Sequence, residues 1–170
     1  MQPRRHEDTK QTRETIAALE RAPEIVVPLV RQAAPAIAKR RPPSGKWSIH
    51  EHACHLAAVH GLFFTRLDLM LSEDKPAIRS YDPGRDDQPD GLLGVDLDEA
   101  LRRFEEDRRR LVGRLRELRP EDWARAADHE EYNSYSVFTM CRHLALHDFF
   151  HAYRIEELLL RKDWPAPDVS

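Results

Sequence analysis

Apolar residues recur three or four positions apart over most of the chain, whereas the strict alternation typical of a half-buried strand is nearly absent. The clearest stretch runs from Leu97 to Leu118, where leucines and one phenylalanine fall on one face of a helix. The other long segments show similar spacing on a polar background. We therefore predict an all-α fold, a four-helix bundle in which each long helix buries one face.

Capping residues and prolines set the expected helix boundaries. Ser48 and Glu51 form a capping box, in which each side chain pairs with a free backbone N–H of the first turn. Pro23 and Pro28 are expected to interrupt the first helix, because proline lacks the N–H that a helix interior needs. Residues 73–95 are rich in proline, glycine and acidic groups and are predicted to form a long loop. The predicted long helices cover residues 8–22, 48–71, 96–118 and 136–161, and a short helix covers residues 24–33.

Length, charge and cysteine content narrow the class of protein. The 170 residues suit a single domain, spanning residues 1–170. With 27 basic and 30 acidic residues the formal net charge is -3, so neither a nucleic acid nor an anionic membrane is an expected partner. No apolar run reaches the roughly 20 residues that span a bilayer, and no secretory signal is visible. Cys54 and Cys141 are expected to be packed thiols, and the protein is expected to be cytoplasmic.

Three histidines are the candidate chemical groups. His147 and His151 stand four positions apart on one helix, so their imidazoles share a face, and His55 on a second helix would complete a metal site. Three protein ligands leave one position open, which is typical of a reactive metal. From spacing alone, core histidines that bond to carbonyl or carboxylate groups are an alternative interpretation of the pair, and this alternative stays open. The metalloprotease motif H-E-x-x-H is absent, because Asp148 follows His147.

Two motifs resemble those of the DinB-like superfamily: K-W-S-I-x-E-x-x-x-H-L at residues 46–56 and H-D-F-F-H-A-Y-R-I at residues 147–155. That superfamily includes bacillithiol- and mycothiol-dependent transferases and related metalloenzymes. The resemblance covers nearly the whole chain and implies a DinB-like bundle of up-down-down-up arrangement. It also implies a divalent metal ion bound by His55, His147 and His151, and it makes a homodimer the expected assembly.

Two further residues near the histidines are candidates for binding a substrate or cofactor. Many relatives have Gly-Gln after the last histidine, where this chain has Tyr153 and Arg154. Arg154 is expected either to lie at the rim of the bundle or to clamp a substrate carboxylate. His143 is expected to line a pocket or to form a hydrogen bond rather than to be a fourth ligand, because a straight helix cannot easily bring three successive turns to one ion.

Several neighbouring side chains are expected to have structural roles. Glu51 should serve the helix cap rather than orient the ring of His55. His50 and His60 point away from the histidine face and are expected at the surface. The repeated arginines of the third long helix are expected to be solvated as well.

The histidine set suits Zn, Ni, Fe or Mn and does not choose among them. By resemblance, the leading interpretation is a metal-dependent S-transferase that activates a low-molecular-weight thiol to attack an electrophilic small-molecule substrate, with residues 73–95 as a lid. One alternative is a hydrolase that uses metal-activated water. Others are a non-catalytic metal-binding stress-response protein on the same fold and a structural helical dimer with core histidines.

Overall fold

The computed structural model describes residues 10–164, whose long helices pack as a four-helix bundle. The predicted all-α, four-helix-bundle fold is thereby confirmed. One of the four long helices of the bundle is divided into two consecutive helices, α3 and α4. Three short helices lie in the connections. The helices are α1 (Lys10–Arg31), α2 (Pro35–Ala38), α3 (Ile49–Ala58), α4 (His60–Ser72), α5 (Pro83–Asp86), α6 (Leu97–Arg116), α7 (Pro120–Trp123) and α8 (Val137–Leu159), with a 3-10 turn at Gly91–Gly94. Both α1 and α3 pack against α6 and α8.

Helix α1 continues through Pro23 and Pro28, so the predicted interruptions at these prolines and the separate short helix at residues 24–33 are wrong. Proline at position 23 leaves the carbonyl oxygen of Leu19 without its usual intrahelical donor. Arg108 of α6 supplies a replacement, donating from Nη1 to Leu19 O at 2.9 Å. A distant side chain thus compensates the defect, and the apolar face of α1 remains continuous. The predicted start at residue 8 lies outside the described residues.

The predicted starts of the other three long helices are confirmed by their capping contacts. Ser48 Oγ accepts the backbone N–H of Glu51, and Glu51 accepts the backbone N–H of Ser48 in return. Asp96 and Ser136 cap α6 and α8 in the same position. The second predicted long helix, however, divides at Val59, whose ψ of -16° departs from the helical value near -42°.

A small three-stranded sheet crosses one end of the bundle, where the sequence pattern indicates no strands. Its strands are β1 (Ala77–Ile78), β2 (Ala126–His129) and β3 (Tyr135–Ser136), in the order β1-β2-β3. The first pair is parallel, with Ala77 opposite Asp128, and the second is antiparallel, with Ala127 opposite Tyr135. These strands are too short to show alternation, so local sequence gives no signal for them. The pairing ties the predicted 73–95 loop to the segment before α8.

The prediction that His50 and His60 lie at the surface is wrong, because both side chains are buried. The connection between α4 and α6 folds back over α3, and His50 Nε2 lies 3.0 Å from the carbonyl oxygen of Leu92. His60 lies beneath α6, where Arg108 Nε donates to its Nε2 at 3.2 Å. The segments that bury these two histidines are distant in sequence, so the pattern of the helix that contains each histidine does not predict its burial.

Arg108 is also an exception to the expected solvation of the arginines on α6. Its side chain is 1% exposed and forms an ion pair with Asp148 of α8, with 2.5 Å between Nη1 and Oδ2. Together with its bonds to Leu19 and His60, this pair links α1, α4, α6 and α8. Within the described part of the chain, no helix is long and apolar enough to cross a membrane.

Candidate metal centre

The three predicted metal ligands meet between α3 and α8. His55 lies in the last turn of α3, and His147 and His151 lie one turn apart on α8. The packing of α3 against α8 directs all three imidazoles to one point. Trp47, which precedes the Ser48 cap, lies against this cluster, with its ring centroid 4.9 Å from that of His55. The capping box therefore fixes both the start of α3 and the position of the indole.

The Nε2 atoms of the cluster are spaced as ligands of one ion would be. His147 Nε2 lies 3.0 Å from His55 Nε2 and 3.1 Å from His151 Nε2. Each histidine offers one ligand atom within 4.8 Å of the others. Metal–nitrogen bonds near 2.0–2.1 Å place two ligand nitrogens about 2.9–3.4 Å apart for angles between 90° and tetrahedral. The residues present therefore fit a divalent metal ion.

Burial keeps these imidazoles neutral, the form that binds metal. Burial, reinforced by the neighbouring histidines, lowers the pKa of His55 to about 4, that of His147 to about 3 and that of His151 to about 2. In the tautomers that carry the proton on Nδ1, the three Nε2 lone pairs face one another with no proton between them. A shared cation satisfies all three lone pairs at once.

The second nitrogen of each ring has different surroundings. His151 Nδ1 lies 2.7 Å from Nδ1 of His52, which is itself buried. His55 Nδ1 and His147 Nδ1 are buried without a hydrogen-bond partner among the described residues. Their rings are held by packing instead, and Tyr81 stacks on His55 with an interplanar angle of 8°.

A cavity of about 270 Å³ opens beside the three histidines. One wall is formed by α3, α4 and α8, and the facing wall by Tyr81 and the turn between β2 and β3. His129, at the end of β2, lines the cavity together with Glu131 and Tyr132 of that turn. Half of the lining residues are aromatic or aliphatic and half are polar, and apolar walls with convergent polar groups are typical of a small-molecule site.

The other predicted site residues are divided between this cavity and its surroundings. His143 lines the cavity, and its ring centroid lies 5.7 Å from that of Tyr132. It is not one of the three grouped histidines. Arg154 does not line this cavity and pairs with Glu157, with 2.5 Å between Nη1 and Oε2, so its role as an anion clamp stays a prediction.

Two structural assignments made from the sequence are confirmed. The carboxylate of Glu51 accepts hydrogen bonds from Ser48 and Arg41. It therefore serves the helix cap and does not orient the ring of His55. Cys54 and Cys141 are buried free thiols, and burial raises their pKa to about 11 and about 12.

Sequence reasoning assigned no functional role to three further residues of the cavity lining. Arg66, Tyr81 and Tyr135 belong to three separate elements or connections, and no periodic pattern groups them. Trp47 was visible in the first motif, and its place beside a ligand histidine was the available signal.

Comparison with known proteins agrees with this fold and site. The sequence matches the profile of the DinB superfamily over residues 18–155. A protein of Oceanobacillus iheyensis named "Putative metal-dependent hydrolase" is 32% identical over 122 residues, covering 71% of this chain and 70% of that protein. A protein of the same name from Bacillus pumilus is 28% identical over 123 residues, covering 71% of this chain and 69% of that protein.

A solved structure shares the fold. YfiT from Bacillus subtilis, described as "a probable metal-dependent hydrolase with an unusual four-helix bundle topology", superposes with a TM-score of 0.84 at 24% identity. The match covers 96% of this chain and 94% of that one. The family profile, the relatives and the shared bundle agree with both sequence motifs, and the chain belongs to the DinB superfamily.

Proposed function

We propose that this protein is a divalent-metal-dependent hydrolase of a small molecule. The observation that carries the proposal is the convergence of three neutral imidazoles, two buried and one half-buried, beside a cavity of small-molecule size. Relatives named as metal-dependent hydrolases support the choice of reaction. The three-histidine set alone is compatible with Zn, Ni, Fe or Mn.

The residues of the cavity provide the remaining parts of a hydrolytic site. A bound divalent ion would lower the pKa of a water molecule and polarise the bond to be cleaved. His129 and His143 line the cavity, and burial lowers the pKa of both, so they are neutral near pH 7 and able to accept a proton. Glu131 is a further acceptor in the same lining. The aromatic rings of Trp47 and Tyr81 would exclude bulk water from the substrate.

Transfer of a low-molecular-weight thiol, which the family resemblance favours, is the second candidate. It uses the same three ligands and differs in the nucleophile, a thiolate in place of hydroxide. The mainly apolar wall of the cavity is suited to an electrophilic carbon substrate as well as to an ester. The homodimer also stays a proposal, supported by the exposed apolar side chains Leu146, Phe150 and Tyr153 on one side of α8.

The test measures the metal content of the protein and then asks whether water or a thiol is the nucleophile. Protein purified without chelator is assayed by mass spectrometry for metal, and then with p-nitrophenyl esters in water and with monobromobimane plus cysteine. We expect close to one metal ion per chain and metal-dependent ester cleavage, both lost in His147→Ala. His50→Ala, which removes a buried histidine of α3 outside the cluster, should keep its metal.

Each alternative gives a distinct result. Metal-dependent adduct formation without ester cleavage would replace the hydrolase proposal with thiol transfer. Bound metal without turnover of any substrate would favour the non-catalytic interpretation. A protein that takes up no Zn, Ni, Fe or Mn on titration would overturn the metal site itself.

A further inference from the structure

Arg66 of α4 is a buried cation without an anionic partner. Its side chain is 7% exposed. Nη1 donates to the hydroxyl of Tyr135 at 3.2 Å, and Nη2 donates to the carbonyl oxygen of Arg79 at 2.7 Å. Both acceptors are neutral, and no carboxylate of the described residues lies within ion-pair distance. Arg108, the other buried arginine of the described chain, has Asp148 as its counter-charge. A buried charge without a partner is strongly unfavourable, so Arg66 calls for an anion.

Arg66 lines the same cavity as the ligands His55 and His147. Glu131 is the single carboxylate among the lining residues and makes no ion pair with Arg66. The charge of Arg66 acts across the cavity. After burial, it is the next cause that lowers the pKa of His129 and of His143. An anion beside Arg66 would therefore meet a positive charge that has no ion-pair partner among the described residues.

Tyr135 completes the arrangement. Its hydroxyl accepts from Arg66, and its own proton has no acceptor among the described residues. Burial raises the pKa of this phenol, so the hydroxyl stays protonated and can donate. Arg66 is held in place by Arg79 and by Phe63, whose ring centroid lies 5.9 Å from its guanidinium carbon. Three of its five N–H groups remain for a ligand.

We infer that Arg66 and Tyr135 form an anion-binding subsite and that the substrate carries a carboxylate. One guanidinium and one hydroxyl match the single charge and two oxygens of that group. This inference rests on the proposed function, because the cavity is taken as the substrate cavity of the metal centre. The substrate would be held at its carboxylate by α4 and β3, with its reactive bond toward the three histidines.

Binding of benzoate to metal-free protein tests the subsite without turnover. Benzoate and its neutral counterpart benzamide are titrated into protein stripped of metal, and binding is followed by proton–nitrogen NMR. We expect benzoate to bind about tenfold more tightly than benzamide, and Arg66→Gln to remove that difference. Tyr135→Phe, which loses one hydroxyl and keeps the ring, should weaken benzoate binding by roughly threefold.

Arg125→Gln is the matched control. Arg125 also donates to two main-chain carbonyl groups, those of Met70 and Glu73, but it does not line the cavity. Its variant should bind benzoate as the parent does. Zinc uptake by Arg66→Gln equal to that of the parent would show that the fold and histidine cluster are intact.

Equal affinities for benzoate and benzamide, or undiminished benzoate binding in both Arg66→Gln and Tyr135→Phe, would overturn the inference. An equal loss in Arg125→Gln would do the same. If Arg66→Gln does not fold, Tyr135→Phe decides. The metal-free design separates this result from the proposed function: selective benzoate binding by a protein that takes up no metal would leave the subsite standing and remove the hydrolase.

Discussion

His52 and His151 lie on different helices and have their Nδ1 atoms 2.7 Å apart. When Nε2 of His151 binds a metal ion, its Nδ1 must hold the proton, so His52 accepts it through Nδ1. His52 suits this role because burial lowers its pKa to about 4, which keeps the ring neutral. The orientation of His151 on α8 is thus fixed by His52, which lies on the same helix as the ligand His55.

Replacement of His52 by alanine is predicted to weaken metal binding without removing a ligand. Loss of such an orienting partner typically costs about 10- to 100-fold in affinity. Zinc affinity, measured by competition with a chromophoric chelator, should fall by that factor. His50→Ala removes a buried histidine two positions away that bonds to Leu92 instead, and it should change the affinity by less than about threefold. Equal effects of both variants would reduce the role of His52 to packing.

His60 is predicted to make stability fall on acidification. Burial, reinforced by the charge of Arg108, lowers its pKa to about 3, against about 6.5 in the unfolded chain. Below pH 6.5 the unfolded chain therefore binds more protons, so stability is full above that pH and falls toward pH 3. Between pH 7.5 and 5.5, His60→Gln should lose about 1.4 kcal/mol less free energy of unfolding than the parent.

Urea denaturation of both metal-free proteins measures this difference. The two curves should run parallel above pH 7.5, where His60 is neutral in both the folded and the unfolded chain. Parallel curves below pH 6.5 as well would show that His60 is not the group that titrates.

Asp148→Ala is predicted to destabilise the bundle by about 3–5 kcal/mol, because it leaves Arg108 buried without its counter-charge. The exposed pair of Arg102 and Glu106 on α6 is a matched control. Glu106→Ala should cost no more than about 0.5 kcal/mol. Urea unfolding at constant pH measures both. A loss below about 1 kcal/mol in Asp148→Ala would contradict a central role for this pair.

Glu51→Ala is predicted to lower stability by about 2 kcal/mol, because the buried carboxylate bonds both to the Ser48 cap and to Arg41. Glu99 has the same position at the start of α6 but is exposed, and Glu99→Ala should cost about 0.5 kcal/mol or less. Thermal unfolding compares the two. Similar losses of stability in both variants would mean that the effect comes from the position of a glutamate in the first helical turn and not from the buried hydrogen bonds of Glu51.

Local signals were sufficient for three of the helix starts and for the placement of His147 and His151 on one face. Ser48, Asp96 and Ser136 each act within three residues of themselves, so the sequence window contains the whole interaction. His147 and His151 are related by one helical turn. His55 needed the two-part motif, because nothing in its own segment indicates the partner helix.

The features that sequence reasoning missed depend on distant partners. Pro23 does not end α1, because Arg108 bonds to the carbonyl group of Leu19 from 89 positions away. His60 is buried by the same arginine. Strand β1 exists only because residues 126–129 pair with it. Periodicity reports the face of one element and cannot identify which other element covers it.

The two walls of the cavity differ in how freely they can change. The histidine wall belongs to helices whose opposite faces form the core, so a substitution there disturbs folding and metal together. The turn between β2 and β3, with Glu131 and Tyr132 exposed, lies at the surface. Directed evolution confined to residues 129–134 could therefore exchange one substrate preference for another while the bundle and its three histidines stay the same.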